Sequence, residues 1–357
     1  MRVSVLTIGG LLLAGLSACS TLGPDTLSAG RPAYNTAIAA TNAEQNLAWF
    51  VRARYGLTSS QLAVASITAS VRFRTRADVE LGVGPSENYI GNLVPFSGGV
   101  VYDENPTISY VPVQGEKHLR LLLSPLSVEM LGLLLNMNFE PGNIFAILVR
   151  RANGVPNPDF LIDPAQAADD RFARLVTVTT RLSRADKLTF FQSRDDAKSY
   201  YAWIHDYRPH YEDDVRSFLD VLDIRGIALD GSDIELPVVK ALRRSTNRSI
   251  AIQTRSVLDL SRIASASVDV PEADRADGLT VDFPKSGLAG EYIHVRRAAA
   301  RPATAVAATQ FRNWWYYIAG DDQPSKLYFV LFGALMSVQL SKAAQEVEPP
   351  VLTVPVN

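Results

Sequence analysis

The sequence predicts an α+β fold, a largely antiparallel sheet packed with several amphipathic helices in one integrated unit. Two observations carry that expectation. Segments of helical hydrophobic period stand beside segments that alternate every second residue, without the strand–helix–strand rhythm of a parallel sheet. The 357 residues are 47% apolar and 20% charged, which is enough to bury a sizeable core. No repeat of solenoid period recurs along the chain.

The elements follow in order. Arg2 precedes an apolar run from Val5 to Leu16, the length of a signal-peptide core and too short to span a bilayer. Ser20 to Gly30 is small and polar, a short tether that keeps the body near its membrane. Pro32 can open a helix, and Tyr34, Ile38, Leu47, Phe50 and Val51 keep its apolar stripe from Ala33 to Tyr55, where Gly56 stops it. From Val71 the period becomes two: Val71, Phe73, Thr75, Ala77, Val79 and Leu81 alternate with Arg72, Arg74, Arg76, Asp78 and Glu80. That is a half-buried strand, traced back to Leu62. Short strands follow near Gly99–Tyr102 and Ile108–Gln114.

Ser124 and Pro125 have the chemistry of a helix start ahead of Leu126, Met130, Leu133, Leu134 and Met137. Asn143–Arg151 fits a buried helix or strand, and its flanking Pro141 and Gly154 favour helix. Phe172, Leu175, Val176, Thr179 and Leu182 form a helical stripe, and Lys187–Gln192 a strand. Val215, Phe218, Leu219 and Leu222 mark a helix ending near Gly226. Ser249–Gln253 is a strand, Ser256 a cap for the helix of Leu258, Leu260 and Ile263, and Pro271–Gly278 an acidic loop.

Strands at Tyr292–Val295, Ala303–Phe311 and Trp314–Ile318 follow, the last two joined by a hairpin at Arg312-Asn313. Asp321-Asp322-Gln323-Pro324 starts a helix with Leu327, Val330, Leu331, Leu335 and Val338 inward. Residues 349–356 form a proline-limited tail, suited to an edge strand or a docking peptide. A boundary near Gly115 is one possible division. The alternative is that the C-terminal strands complete a sheet begun at Leu62.

The chain has one cysteine, so no intrachain disulfide is available. Leu16-Ser17-Ala18-Cys19 resembles a bacterial lipobox. That resemblance implies a diacylglycerol on the Cys19 thiol, cleavage before it, and acylation of the new amino terminus. It divides the chain into a signal peptide (1–18), a lipidated tether (19–30) and an α+β globular domain (31–357). Several acyl chains on Cys19 make a stable tether, since each buried methylene contributes ~0.8 kcal/mol. Ser20, where an Asp often marks inner-membrane retention, resembles the outer-membrane default, with the body facing the periplasm. Several stretches also resemble a group of proteobacterial envelope lipoproteins of unassigned function: Tyr34-Asn35-Thr36-Ala37-Ile38 with Val51-Arg52-Ala53-Arg54-Tyr55, then Gln253-Thr254-Arg255-Ser256, then Trp315-Tyr316-Tyr317-Ile318 with Ser325-Lys326 and the Pro-Val-Leu-Thr-Val-Pro-Val end. This likeness implies no reaction and no ligand.

Candidate chemistry is sparse. A net charge of −2 leaves no basic footprint for nucleic acid. His205, His210 and Asp213 are a metal-ligand candidate, but the five-residue spacing and Pro209 keep the histidines off one helix face. The plainer reading is a polar loop leading into the acidic first turn of a helix. No Gly-x-Ser-x-Gly, Ser-x-x-Lys or phosphate-loop motif occurs, and an acylated Cys19 is no catalytic thiol. Arg72, Arg74 and Arg76 share a strand face able to hold an anionic headgroup, against the plainer reading of a solvated charged face. Arg243, Arg244 and Arg248 form a second basic cluster.

Trp314–Tyr317 is a carbohydrate-stacking candidate, against a strand half in the core. No cofactor is implied. The expectation is a lipid-anchored envelope protein that binds or scaffolds another envelope protein and does no catalysis. The alternatives are a periplasmic hydrolase of envelope polymers and a carrier of an apolar ligand.

Overall fold

The computed structural model describes residues 22–59, 61–79, 96–113, 116–136, 139–158, 160, 169–193, 196, 199–240, 248–284 and 287–345. Cys19, the signal segment, Arg243, Arg244 and the 349–356 tail lie outside them. The fold is α+β, with sheets that are mostly antiparallel. Contacts divide the chain into two compact units, 1–59 with 115–339 and 60–114 with 340–357. The stretch 31–357, which reads in sequence as one integrated unit, is therefore divided, with a cut at Gly115. The C-terminal strands do not complete a sheet begun at Leu62 and instead form a sheet of their own.

The second unit contains a long antiparallel ribbon. β1 (Gln61–Val79) pairs with β2 (Phe96–Val113) from Gln61 opposite Val113 to Val79 opposite Phe96, with a bulge between Val64 and Ser66. β2 is one strand where two short ones were expected. It carries Pro106 opposite Ala69. A two-stranded ribbon has an outer edge along each strand, where a missing N–H is tolerated.

In the first unit, α1 (Leu22–Arg54) begins at Leu22 rather than Ala33 and runs through Pro32, so the expected tether is helical from Leu22 on. From Pro32 to Gln45 its residues are exposed or half-exposed, and burial starts at Asn46 and Leu47. Gly56, at φ +68°, ends it as expected.

α2 (Glu116–Leu123) precedes α3 (Val128–Asn136). Ser124 and Pro125 do not open α3. Pro125 bridges to Ser256, and Thr254 Oγ1 donates to the Leu126 carbonyl at 2.6 Å. Both contacts hold the chain extended there, and Ser127 Oγ receives the Met130 N–H instead. The Asn143–Arg151 run divides: α4 (Pro141–Leu148) passes directly into β3 (Val149–Ala152). β4 (Val155–Pro156), α5 (Arg171–Arg184), β5 (Leu188–Gln192), β6 (Tyr200–Ile204), α6 (Glu212–Val221), β7 (Ile234–Lys240), β8 (Ile250–Thr254) and α7 (Val257–Ala266) follow.

Six of these strands make one sheet in the order β4-β3-β8-β7-β6-β5, antiparallel except between β7 and β8. Directly paired residues point to one face, so Leu188, Phe190, Tyr200, Ala202, Ile204, Ile234, Leu236 and Val238 share a side, and all are buried. Helices cover that side. Phe145 of α4 packs 5.7 Å from Phe190, centroid to centroid, and α3 lies so close that a Cβ on Gly132 would stand 2.1 Å from the Tyr200 ring. A Cβ on Gly142 would stand 1.9 Å from Thr180 Oγ1, which fixes the approach of α4 to α5.

The Gln253-Thr254-Arg255-Ser256 motif links this layer to the next. Arg255 is fully buried at the C-terminal end of α4. Its guanidinium donates to the carbonyls of Ala146 (3.0 Å), Ile147 (2.7 Å) and Asn157 (3.0 Å), the first two being carbonyls that a helix end leaves without partners. Asn157 Nδ2 serves Ala146 and Val149 as well. Ser256 then caps α7 with a reciprocal Asp259 bond, as the sequence predicts.

The acidic Pro271–Gly278 segment, expected as a loop, contains α8 (Glu272–Ala276). Leu288–Tyr292 is a 3-10 turn where a strand was expected, and Val295 makes only a bridge to Val268. A three-stranded sheet follows in the order β10-β11-β9, from β9 (Arg296–Ala298), β10 (Ala307–Phe311) and β11 (Trp314–Ile318). The Arg312-Asn313 hairpin is as predicted, with Arg312 at φ +51°.

Asp322 Oδ1 accepts from the Ser325 N–H and so starts α9 (Gln323–Gln345). Its inward stripe is Tyr328, Phe329, Leu331, Phe332, Leu335 and Met336, while the expected Val330 is exposed. Phe50 of α1 stands 4.6 Å from Phe332 and 6.2 Å from Phe329, both edge-on, and Tyr328 donates to the Leu260 carbonyl of α7.

Candidate functional site: an open sheet face and its cleft

The second face of the six-stranded sheet carries Thr189, Phe191, Tyr201, Trp203, Glu235, Pro237 and Val239, each half-exposed or exposed. Phe191 and Tyr201, paired across the ladder, stack at 5.6 Å and 19°. Trp203 stacks on His205 at 4.0 Å and 25°. Aromatic rings contribute large apolar area, and a cluster of them left half in water marks a surface suited to recognition.

A cleft of about 350 Å³ adjoins this face, lined by Gly226, Ile227, Ala228, Ser232, Asp233, Ile234, Glu235, Leu236 and Arg248. It forms because β7 starts before its parallel neighbour: the first rung with β8 is Val238 with Ile250. The loop at 226–228 and Arg248 flank the bare part of β7, with Arg248 Nη2 donating to the Gly226 carbonyl at 2.8 Å. The face and the cleft share two carboxylates. Glu235 sits opposite Trp203 in the ladder, and Asp233 Oδ2 accepts the Trp203 indole N–H at 3.1 Å. The result is an aromatic surface beside a cleft that offers acceptors and one guanidinium.

The metal candidate does not assemble. His205 lies against Trp203, with its Nδ1 3.5 Å from Asp206 Oδ2. His210 is exposed beyond a turn, and Asp213 is exposed in the first turn of α6. Among the described residues no group of three metal-ligating side chains occurs. Of the acidic first turn, Asp214 is buried and pairs with Arg181 at 3.0 Å. Arg72, Arg74 and Arg76 share one face of β1, opposite Asp103, Val101 and Gly99 in the ladder, and their side chains lie outside the described residues.

At β11, Tyr316 is buried, while Trp314 and Trp315 lie under Arg297 (4.3 Å) and Arg301 (5.5 Å). Tyr55 closes over this sheet. Its hydroxyl donates to Asp274 Oδ2 at 2.6 Å and meets the Tyr316 hydroxyl at 2.9 Å. Burial, and then the bond to Asp274, holds the Tyr55 proton well above the ordinary phenol range.

Sequence reasoning missed the open face and the cleft. The only signal was aromatics on both phases of Leu188–Gln192 and Tyr200–Ile204, which becomes a surface only once the strands are paired. Comparison of the chain with protein-family models, curated proteins and solved structures gives no match.

Proposed function

We propose that the protein is a lipid-anchored envelope protein, tethered by acylated Cys19 to the outer membrane and facing the periplasm, with a non-catalytic binding role toward another envelope protein. The single observation that carries the binding role is the half-exposed aromatic set Phe191, Tyr201 and Trp203, joined to the cleft through Asp233 and Glu235. The cleft's carboxylates are near neighbours at the start of β7 rather than groups gathered from distant elements, which favours recognition over hydrolysis. Its walls are polar as well as apolar, which does not suit an apolar carrier.

The test places a photo-crosslinking amino acid at Tyr201, at Trp203 and, as control, at exposed Arg216 in cells with intact Cys19. The expected result is one discrete adduct shared by Tyr201 and Trp203, absent at Arg216, and reduced at least tenfold by Cys19→Ser. Equal labelling at all three positions, or an unmodified thiol at Cys19 in mass spectra of the native protein, overturns the proposal.

A further inference from the structure

Arg54, the last residue of α1, is 6% exposed, and its Nε and Nη1 have no hydrogen-bond partner among the described residues. A buried guanidinium whose donors stay empty is costly, because it loses water and gains nothing in exchange. Its surroundings supply little. The guanidinium lies 5.4 Å over the Phe283 ring, and no carboxylate of the described residues comes within ion-pair distance. Asp282, which acts on it with opposite charge, is exposed and makes no ion pair with it. A second guanidinium, Arg275, acts on it with like charge. Asp274 is already engaged by Tyr55 and Arg312. Burial, and then the charge of Arg275, lowers the Arg54 pKa, so the protein works against the charge it places there.

An anion between the two arginines would remove both penalties at once. Arg275, which pairs with Glu272 at 3.7 Å, and Asp282 are both exposed, so this corner of the fold borders solvent. Guanidinium groups match the geometry and charge of a phosphate oxyanion better than any other side chain does. We propose that Arg54 and Arg275 hold a phosphate-type oxyanion where α1, α8 and the 281–283 segment meet, a site separate from the open sheet face.

The test uses the full mature chain with Cys19→Ser, so that no acyl chain binds vesicles by itself. Inorganic phosphate is titrated against sodium chloride of matched ionic strength while thermal unfolding is followed, and the Arg54 ¹⁵Nε resonance is recorded in parallel. The expected result is a rise in Tm of about 3–5 °C in saturating phosphate over chloride, with displacement of that resonance. Arg54→Met, which keeps the apolar stem over Phe283, loses both responses, and Arg275→Gln at least halves the Tm response.

Co-sedimentation with phosphatidylglycerol vesicles, against phosphatidylcholine vesicles, then separates the source. Binding that Arg54→Met abolishes assigns the oxyanion to a lipid headgroup. A phosphate response without vesicle binding assigns it to a free phosphate. A phosphate response that survives in Arg54→Met, or no response to either probe in the parent chain, overturns the proposal.

Discussion

Among the described residues two arginines are buried, and they are buried in opposite ways. Arg255 spends its donors on carbonyls at the end of α4, and its own backbone N–H bonds the Leu148 carbonyl at 2.8 Å. Arg54 is the last residue of a helix, and its Nε and Nη1 have no hydrogen-bond partner among the described residues. The difference teaches where a buried charge is structural. Helix-end carbonyls are orphan acceptors that need donors, and Arg255 resolves both deficits in one place. At Arg54 the deficit remains, which is why it reads as a place for something from outside.

The largest expected effect tests the first half of that contrast. Arg255→Met should cost about 3–5 kcal/mol, because several buried carbonyls lose their donor together. A urea midpoint close to the parent's would break the comparison. Asn157→Ala sharpens it: loss of two bonds to Ala146 and Val149 should cost about 1–3 kcal/mol and add less than independently to Arg255→Met in a double-mutant cycle. Ser256→Ala removes only the cap of α7 and should cost about 1 kcal/mol by the same measurement.

Arg54→Met, in buffer free of phosphate, should change stability by less than about 1 kcal/mol in either direction, since an apolar stem replaces a charge that has no partner. The smallest effect is at alkaline pH. Tyr55 keeps its proton in the fold well past the unfolded value of 10.0. Its contribution is therefore complete below that pH and declines as pH rises beyond it. Tyr55→Phe should flatten the fall in urea midpoint between about pH 9 and pH 11.

Much of this was legible because it is local. Ser256, Asp322 and the Arg312-Asn313 turn act within three residues of themselves, so their chemistry could be read directly from sequence. β7 was not legible, since Pro237 argues against a central strand. The ladder with β8 indeed begins only at Val238, one residue later. The Asn143–Arg151 run hid a junction: an apolar stretch buried on every side carries no period, so helix and strand could not be told apart. α3 lacked the expected cap because the Pro125–Ser256 bridge, a contact between residues far apart in the chain, decides the local backbone.

The candidate sites were least legible of all. Arg54 stands in a stretch that sequence reading had singled out, but burial without partners is a property of the folded surroundings alone. Trp203 meets Asp233 and Glu235 only through a strand register.

α1 has a further consequence. From Leu22 to Asn46 it rises about 36 Å at 1.5 Å per residue, and from Pro32 to Gln45 its residues are exposed or half-exposed. With Cys19 acylated, the body would stand off the lipid surface on a stiff rod instead of trailing on a loose leash. Its reach would then be a fixed height, changed by whole helical turns inserted or removed rather than by tension in a string.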